Sequence, residues 1–441
     1  MPLRFAPSPS GYLHVGNART AVMNWILSKQ SGESFLLRLD DTDEEKSKEK
    51  YAQSIKEDLD WLGLNWNNSI TQSSRLNFYK DVFEKLKKKK QIYPCYETDE
   101  ELNLKRTRKR NSGLPPVYDR SALNLTSKDI RQLESEGRKP YWRFKLPDDS
   151  FFWDDEIHGK IKFDVGSYSD PVLIRADGRP LYTLTSVADD IDMNISFIVR
   201  GNDHLSNSGA QVAIFKSLDA DIPQFAHLGL LVGSRGDPLS KRTGSLSLRS
   251  LREKGIEAQA LLNYLIFVGT SSAINLNKNE KEIIERFDLG NLSKNNAHFD
   301  ESILNSLTSQ YLHILSFEEV KDRFNNIGIS SVKEEFWDVI RQNISIFEDV
   351  LFWWKVVNEN IHTIINDKEF IVQSMDCMPV GEFTNSTWKE WTNNLSKITG
   401  KKGKSLFMPL RLAITGCDYG PAMGDLLPLI GRQKVCDRLK Q

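Results

Sequence analysis

Along the first ninety residues, short apolar runs alternate with amphipathic stripes. Residues 2 to 7 and 34 to 39 (Ser34-Phe-Leu-Leu-Arg-Leu39) are compact apolar runs of the kind that form buried strands. Between them Ala18, Ala21, Val22, Trp25 and Ile26 recur at helical spacing. Strand, glycine turn, helix, strand is the opening of a parallel α/β unit. Two further stripes, Tyr51, Ile55, Leu59, Leu62 and then Leu76, Tyr79, Phe83, Leu86, predict two more helices, which carries this first unit over 1–90.

The pattern changes over 91–185. Prolines and glycines punctuate short segments such as Trp142-Arg-Phe-Lys-Leu146, Ile161-Lys-Phe-Asp-Val165 and Pro171-Val-Leu-Ile174, which predicts a mixed insertion built on hairpins. Strand-like runs then return at Ile195-Ser-Phe-Ile-Val199 and Phe225 to Val232, flanking a helix through Val212, Phe215 and Leu218. The simplest account is a Rossmann-like α/β domain split by an inserted mixed α/β domain, with its second half at 186–245. Beyond 250 helical periodicity dominates, in 258–267, 303–315, 349–365 and 388–398. In the last of these Trp388, Trp391, Leu395 and Ile398 share one stripe; two tryptophans can stack on bases, but beside Leu395 and Ile398 they read more simply as core.

Composition narrows the class. With 441 residues, 39% of them hydrophobic, the chain can build several cores, and no apolar run approaches the roughly 20 residues of a membrane span. The N-terminus lacks a basic segment followed by an apolar one, so a cytoplasmic location and no membrane partner are expected. A net charge of -1 gives the whole molecule no basic character. Local basic patches do exist, at Lys85 to Lys90, Lys105 to Arg110 and Gly400 to Lys404; each can face phosphates or be a solvated helix end. Cys95, Cys377, Cys417 and Cys436 lack the close pairing of a metal knuckle or disulfide scaffold.

Two segments could carry chemistry. The turn Pro7-Ser8-Pro9-Ser10-Gly11-Tyr12-Leu13-His14-Val15-Gly16-Asn17 lies between a strand and a helix, where open N–H groups at about Asn17 to Thr20 would attract phosphate and His14 could donate to a phosphate oxygen. It matches neither the GxxxxGK[ST] loop nor the GxGxxG turn. The second, Leu239-Ser240-Lys241-Arg242, follows a glycine-rich stretch, and a lysine there can bring a point charge to phosphate oxygens as they gain charge.

Taken together, His14-Val-Gly-Asn17 and Leu239-Ser-Lys-Arg242, 225 residues apart, resemble the two signatures of class I aminoacyl-tRNA synthetases. The surrounding words Arg4-Phe-Ala-Pro-Ser-Pro-Ser-Gly-Tyr-Leu-His-Val-Gly-Asn-Ala-Arg19-Thr20, Arg38-Leu-Asp-Asp-Thr-Asp43, Gln72-Ser-Ser-Arg75, Arg200-Gly-Asn-Asp-His-Leu-Ser-Asn207 and Lys404-Ser-Leu-Phe-Met-Pro-Leu-Arg411 are similar to those of glutamyl-tRNA synthetases, end to end. The resemblance implies a monomeric enzyme that uses ATP and Mg2+ to join L-glutamate to tRNA(Glu), with tRNA(Gln) as an alternative acceptor. It implies an acceptor-end-binding insertion at 91–185, a stem-contact region at 246–300 and a helical anticodon-binding region at 301–441. It assigns glutamate to Arg4, Ser8, Tyr182 and Arg200, with Asp40 for the ammonium group, and ATP to His14, Gly16 and Lys241. Charge logic agrees, since a guanidinium fork suits a carboxylate.

The chain departs from the family in places. Asp40 stands where Glu is usual, Pro238 replaces a first loop lysine, which leaves Arg235 or Arg242 to compensate, and Thr183-Leu184-Thr185 replaces the usual Asn-Phe-Ala. Some members hold zinc in the insertion through several cysteines; here Cys95-Tyr-Glu97 keeps one and Tyr118-Asp-Arg-Ser121 adds none, so no structural zinc is expected.

Overall fold

The computed structural model describes residues 2–233, 235–237, 239 and 246–441. Two compact units emerge, one of residues 1–254 and 261–300, the other of 255–260 and 301–441.

The first unit opens with β1 (Leu3–Phe5), α1 (Val15–Ser31), β2 (Phe35–Leu39), α2 (Glu49–Trp61), β3 (Asn68–Thr71) and α3 (Leu76–Lys88). It continues with β4 (Ile92–Cys95), α4 (Asp99–Asn111), α5 (Ser127–Ser135), β5 (Tyr141–Phe144), β6 (Phe151–Asp155), β7 (Gly159–Phe163) and β8 (Val172–Ile174). Then follow α6 (Tyr182–Asp192), β9 (Phe197–Gly201), α7 (Leu205–Ser217), β10 (Gln224–Leu228), β11 (Leu231–Val232), α8 (Leu248–Glu253) and, later, β12 (Ala297–His298).

Five strands form one parallel sheet in the order β10-β9-β1-β2-β3. The chain leaves β1 in one direction to reach β2 and returns on its other side as β9, so the order reverses at β1. In open α/β sheets the crevice outside the carboxyl ends of the strands at such a reversal is where ligands bind. The insertion between α3 and α6 forms a three-stranded antiparallel sheet (β4-β5-β8) and a separate hairpin (β6-β7). It also holds two helices, α4 and α5, which the hydrophobic pattern did not reveal. Residues 225 to 232, expected as one strand, divide into β10 and β11.

The insertion shares its core with the sheet. Phe144, Trp153, Phe163 and Leu173 pack in one cluster with Tyr79, Leu184, Ile198, Phe215 and Phe225. The basic patches at 85–90 and 105–110 fall at the C-terminal ends of α3 and α4, where exposed carbonyls favour cations.

The second unit is helical. Glu301–Ile314, Phe317–Asn326, Glu334–Ile340, Val350–Asn358, Lys368–Asp376, Thr387–Thr399, Lys404–Thr415, Met423–Ile430 and Arg432–Leu439 surround one continuous core. Trp391 and Leu395 are fully buried in it, and Trp391 Nε1 donates to the Ser374 carbonyl at 2.7 Å. Trp391 is therefore core rather than a stacking platform. The helix expected over 349–365 stops at Asn358: the Asn, Thr and Ile residues that follow are weak helix formers, and Ile361 and Ile365 pack against the core outside any helix.

Candidate active site

The register of the sheet decides which side chains meet. Arg4 lies opposite Leu36, Leu3 opposite Phe197, and Arg200 opposite His227. Because side chains alternate along a strand, Arg4, Arg38, Arg200 and His227 all project from the same face. That face is covered by α6, whose acidic turn meets the arginines. Arg4 Nε donates to Asp190 Oδ1 at 3.0 Å, and Arg38 Nη1 donates to the same oxygen at 2.7 Å. Burial alone would lift the Asp190 carboxyl, yet these two guanidinium groups hold it below the usual range. Arg4 and Arg38 are thus neutralised.

Arg200 is not. It is 5% exposed, and its partners are all neutral: Tyr182 Oη (2.9 Å) from Nη1, Ser208 Oγ and Gln211 Oε1 (2.6 Å) from Nη2, and His227 Nε2 (3.3 Å) from Nε. Among the described residues no carboxylate lies within ion-pairing distance of it. A buried cation without a counter-ion is costly, and burial accordingly pulls its pKa below the ordinary arginine value. Tyr182 opens α6 and accepts from Arg200, so its own hydroxyl proton can turn toward a ligand. Two donors presented together favour the two oxygens of a carboxylate over a primary amide, whose NH2 would meet a donor.

Asp40 follows β2 and is gripped by Arg38, with Nε to Oδ1 at 2.7 Å and Nη2 to Oδ2 at 3.3 Å. Burial pushes its carboxyl up to about 6 against the pull of Arg38. Its backbone N–H donates to the Pro7 carbonyl at 3.0 Å, which ties the end of β2 to the turn carrying the exposed Ser8.

The turn after β1 delivers His14 to the N-cap of α1. Its Nδ1 accepts from the backbone N–H groups of Gly16 (3.1 Å) and Asn17 (3.4 Å), which places the neutral ring's proton on Nε2. Gly16 makes this possible: a Cβ there would lie 2.9 Å from His14 Cε1 and 3.0 Å from Nδ1. The helix start therefore differs from the open one expected. Val15 N–H donates to the Leu246 carbonyl, Gly16 and Asn17 serve His14, and Ala18 donates to the His14 carbonyl. The amides of the first turn are thus taken up by Leu246 and His14, and what remains of the helix start's positive character is its dipole.

Lys241 and Pro238 lie outside the described residues, but the chain on the far side of that segment is fixed. Ser247 pairs with His14 as an antiparallel bridge, and Leu248 N–H donates to the Leu13 carbonyl at 2.9 Å. The chain that follows the second signature thus runs beside the first. Sequence reasoning did not single out Arg38, Asp190, Gln211, His227 or Asp155 as site residues; Ser208 and His204 stand in or just beyond the quoted segment after Arg200. Among them His204 packs against Tyr182, with ring centroids 5.7 Å apart, and burial beside Arg200 pushes its pKa down to about 4.

Residues 1–306 match the family model described as tRNA synthetases class I (E and Q), catalytic domain. The chain belongs to this family. Residues 368–441 match a model described as an anticodon binding domain. Over 451 aligned positions the chain is 46% identical to glutamate–tRNA ligase 2 of Bartonella bacilliformis, covering 99% of both. It is 45% identical to glutamate–tRNA ligase 2 of Hyphomonas neptunium, again over 99% of both. Among solved structures, a glutamate tRNA ligase from Elizabethkingia meningosepticum, crystallised in complex with its amino acid, matches with a TM-score of 0.88 at 26% identity, covering 100% of this chain and 98% of that one.

In the insertion Cys95 is buried, and burial pushes its thiol up to about 12; the Tyr118 hydroxyl donates to its sulfur at 3.7 Å. Among the described residues no group of three or more His, Cys, Asp or Glu side chains is placed to hold a metal ion, and no helix is long and apolar enough to cross a membrane.

Proposed function

We propose that this protein is a glutamate–tRNA ligase, which activates L-glutamate with ATP as an adenylate and transfers it to tRNA(Glu). The observation that carries the reading is the buried, unneutralised Arg200 at the crevice beside the His14 turn. The γ-carboxylate of glutamate would supply the missing charge, held by Arg200, Tyr182 and Arg4, with Ser8 on the rim and Asp40 toward the ammonium group. The α-carboxylate then attacks the α-phosphorus of ATP and pyrophosphate leaves. His14 Nε2–H, the dipole of α1 above Gly16 and Lys241 would stabilise charge on the leaving oxygens, so positioning and electrostatics supply the rate. Mg2+ would come with ATP, since one or two carboxylates and the substrate's own phosphates suffice to hold it. The terminal ribose hydroxyl of the tRNA next attacks the carbonyl of the mixed anhydride, forming the ester and releasing AMP. Residues 91–185 would grip the acceptor end, 246–300 the stem and 301–441 the anticodon, in a monomer.

Charging of purified tRNA(Glu) and tRNA(Gln) with labelled glutamate tests the reading; absence of charging with both would overturn it, and the ratio gives the tRNA scope. Glutamate-dependent ATP–pyrophosphate exchange with and without tRNA tests whether tRNA favours the competent pocket, and equal rates would reject that coupling. Lys241→Ala should cut exchange severely, and near-normal exchange would remove the lysine from the mechanism.

A further inference from the structure

Behind Arg200 lies a buried chain of groups that the reaction itself does not use. His227 side-chain Nδ1 is 2.6 Å from Asp155 Oδ2, and both side chains are fully buried. The other oxygen of Asp155 accepts from the backbone N–H groups of Ile157 (3.0 Å) and His158 (2.8 Å), so this carboxylate is anchored at both oxygens. An ionised carboxylate can only accept, so the proton between Asp155 and His227 is on Nδ1. Nε2 of the neutral ring then presents a lone pair, 2.7 Å from Ser208 Oγ and 3.3 Å from Arg200 Nε, both of which can donate to it.

Asp155 belongs to the hairpin of the insertion, far in sequence from the sheet it serves. That hairpin is seated by two contacts. Trp153 packs edge-on against His227, with centroids 5.5 Å apart, and Phe163 lies over Gly209, where any Cβ would come within 2.0 Å of its ring. Gly209 follows Ser208, which holds Nη2 of Arg200. The hairpin therefore supports the guanidinium from two sides.

We infer that Asp155, acting through His227, is a positioning and specificity-determining residue: it locks the imidazole tautomer that orients the Arg200 fork toward an anionic side chain. The inference rests on the proposed role of Arg200 in binding glutamate. Without the carboxylate, the imidazole is free to place a proton on Nε2, where it would oppose the Arg200 Nε–H and turn the fork. Carboxylates that orient a metal-ligating histidine alter affinity about 10- to 100-fold, and an effect of that order is expected for this pair.

The test is ATP–pyrophosphate exchange by full-length Asp155→Asn, His227→Leu and His227→Gln proteins in the presence of tRNA, with thermal melts alongside. For Asp155→Asn and His227→Leu, KM for glutamate should rise about 10- to 100-fold while KM for ATP stays within about twofold, and the preference for glutamate over glutamine should fall. His227→Gln should recover most of the loss, because Gln Oε1 can accept from Arg200 Nε. Parallel rises in both KM values, no rise in either, or a Gln variant no better than the Leu variant would overturn the inference. Should the variants not fold, 15N spectra of histidine-labelled wild-type protein at pH 7 decide it: His227 must show a protonated Nδ1 and an unprotonated Nε2, and the opposite tautomer or an imidazolium would refute it. Failure of the wild-type protein to activate glutamate would instead fall on the proposed function.

Discussion

Replacing Gly16 with alanine separates the cap of α1 from its fold. The new Cβ would lie 2.9 Å from His14 Cε1, closer than such contacts allow, so the imidazole must swing away. Its two accepted bonds, from Gly16 and Asn17 at 3.1 and 3.4 Å, are then lost. An N-cap is worth about 1 kcal/mol, and exchanging glycine for alanine in a helix returns up to about 1 kcal/mol. The net change in stability should therefore stay within about 1 kcal/mol, visible as a nearly unchanged urea midpoint. Activity should behave differently. If His14 Nε2–H stabilises charge on the leaving phosphates, displacing it should slow adenylate formation about 100-fold or more, the usual loss for one preorganised donor. His14→Ala should match Gly16→Ala in ATP–pyrophosphate exchange while losing the full cap energy in the unfolding assay. A Gly16→Ala protein with wild-type exchange would refute the coupling between glycine and histidine.

Three further outcomes follow from particular burials. Arg200→Met should abolish glutamate activation, at least about 100-fold, yet shift stability by under about 2 kcal/mol, since relief of a desolvated cation offsets the hydrogen bonds lost; unfolding melts paired with exchange assays check both halves. Asp58 on α2 has a fully buried side chain whose carboxylate oxygens lack hydrogen-bond partners, with Arg252 3.6 Å from Oδ1, and burial pushes its pKa up to about 6. A folded-state value above the ordinary 3.8 means that the folded protein holds the extra proton, so stability falls as pH rises through about 4 to 6; Asp58→Asn should flatten that fall and add about 1–2 kcal/mol at pH 7, after allowance for screening, in denaturation measured at pH 5 and 7. Cys95, buried and with its thiol pushed up to about 12, should resist iodoacetamide at pH 8 until the protein is unfolded, and labelling of the native protein would contradict its environment.

Apolar periodicity was enough to find elements that rest on a core. The helix expected over 258–267 occurs over those residues, α1 and α3 enclose their predicted stripes, and α2 holds Tyr51, Ile55 and Leu59 but ends at Trp61, with Leu62 as its C-cap. Where an element has little apolar face, the same reasoning fails. In α4, Asp99–Asn111, only Leu102 is buried, and the helix is held by a capping box between Thr98 and Glu101 and by Arg138 paired with Glu101. α5 repeats the device with Thr126 and Asp129. Thr-x-x-Glu and Thr-x-x-Asp were readable signals that the hydrophobic pattern passed over.

The site divides along a similar line. Residues that would face ligands stand in short words that a reader can recognise, as do Arg4, His14 and Arg200. Their partners are brought in by strand register and by a helix 186 residues from Arg4, as Asp190 is, and no local spacing encodes that meeting. Composition gives 59 basic and 60 acidic residues, a near balance that says nothing of which charge is paired with which. Only pairing shows that Arg4 and Arg38 share Asp190, that Asp40 belongs to Arg38, and that Arg200 is left with neutral neighbours. In the proposed function, substrate charge selection would rest on that cation. A carboxylate introduced within its reach, as Gln211→Glu would do through the existing 2.6 Å contact, should neutralise it internally and raise KM for glutamate without unfolding the sheet.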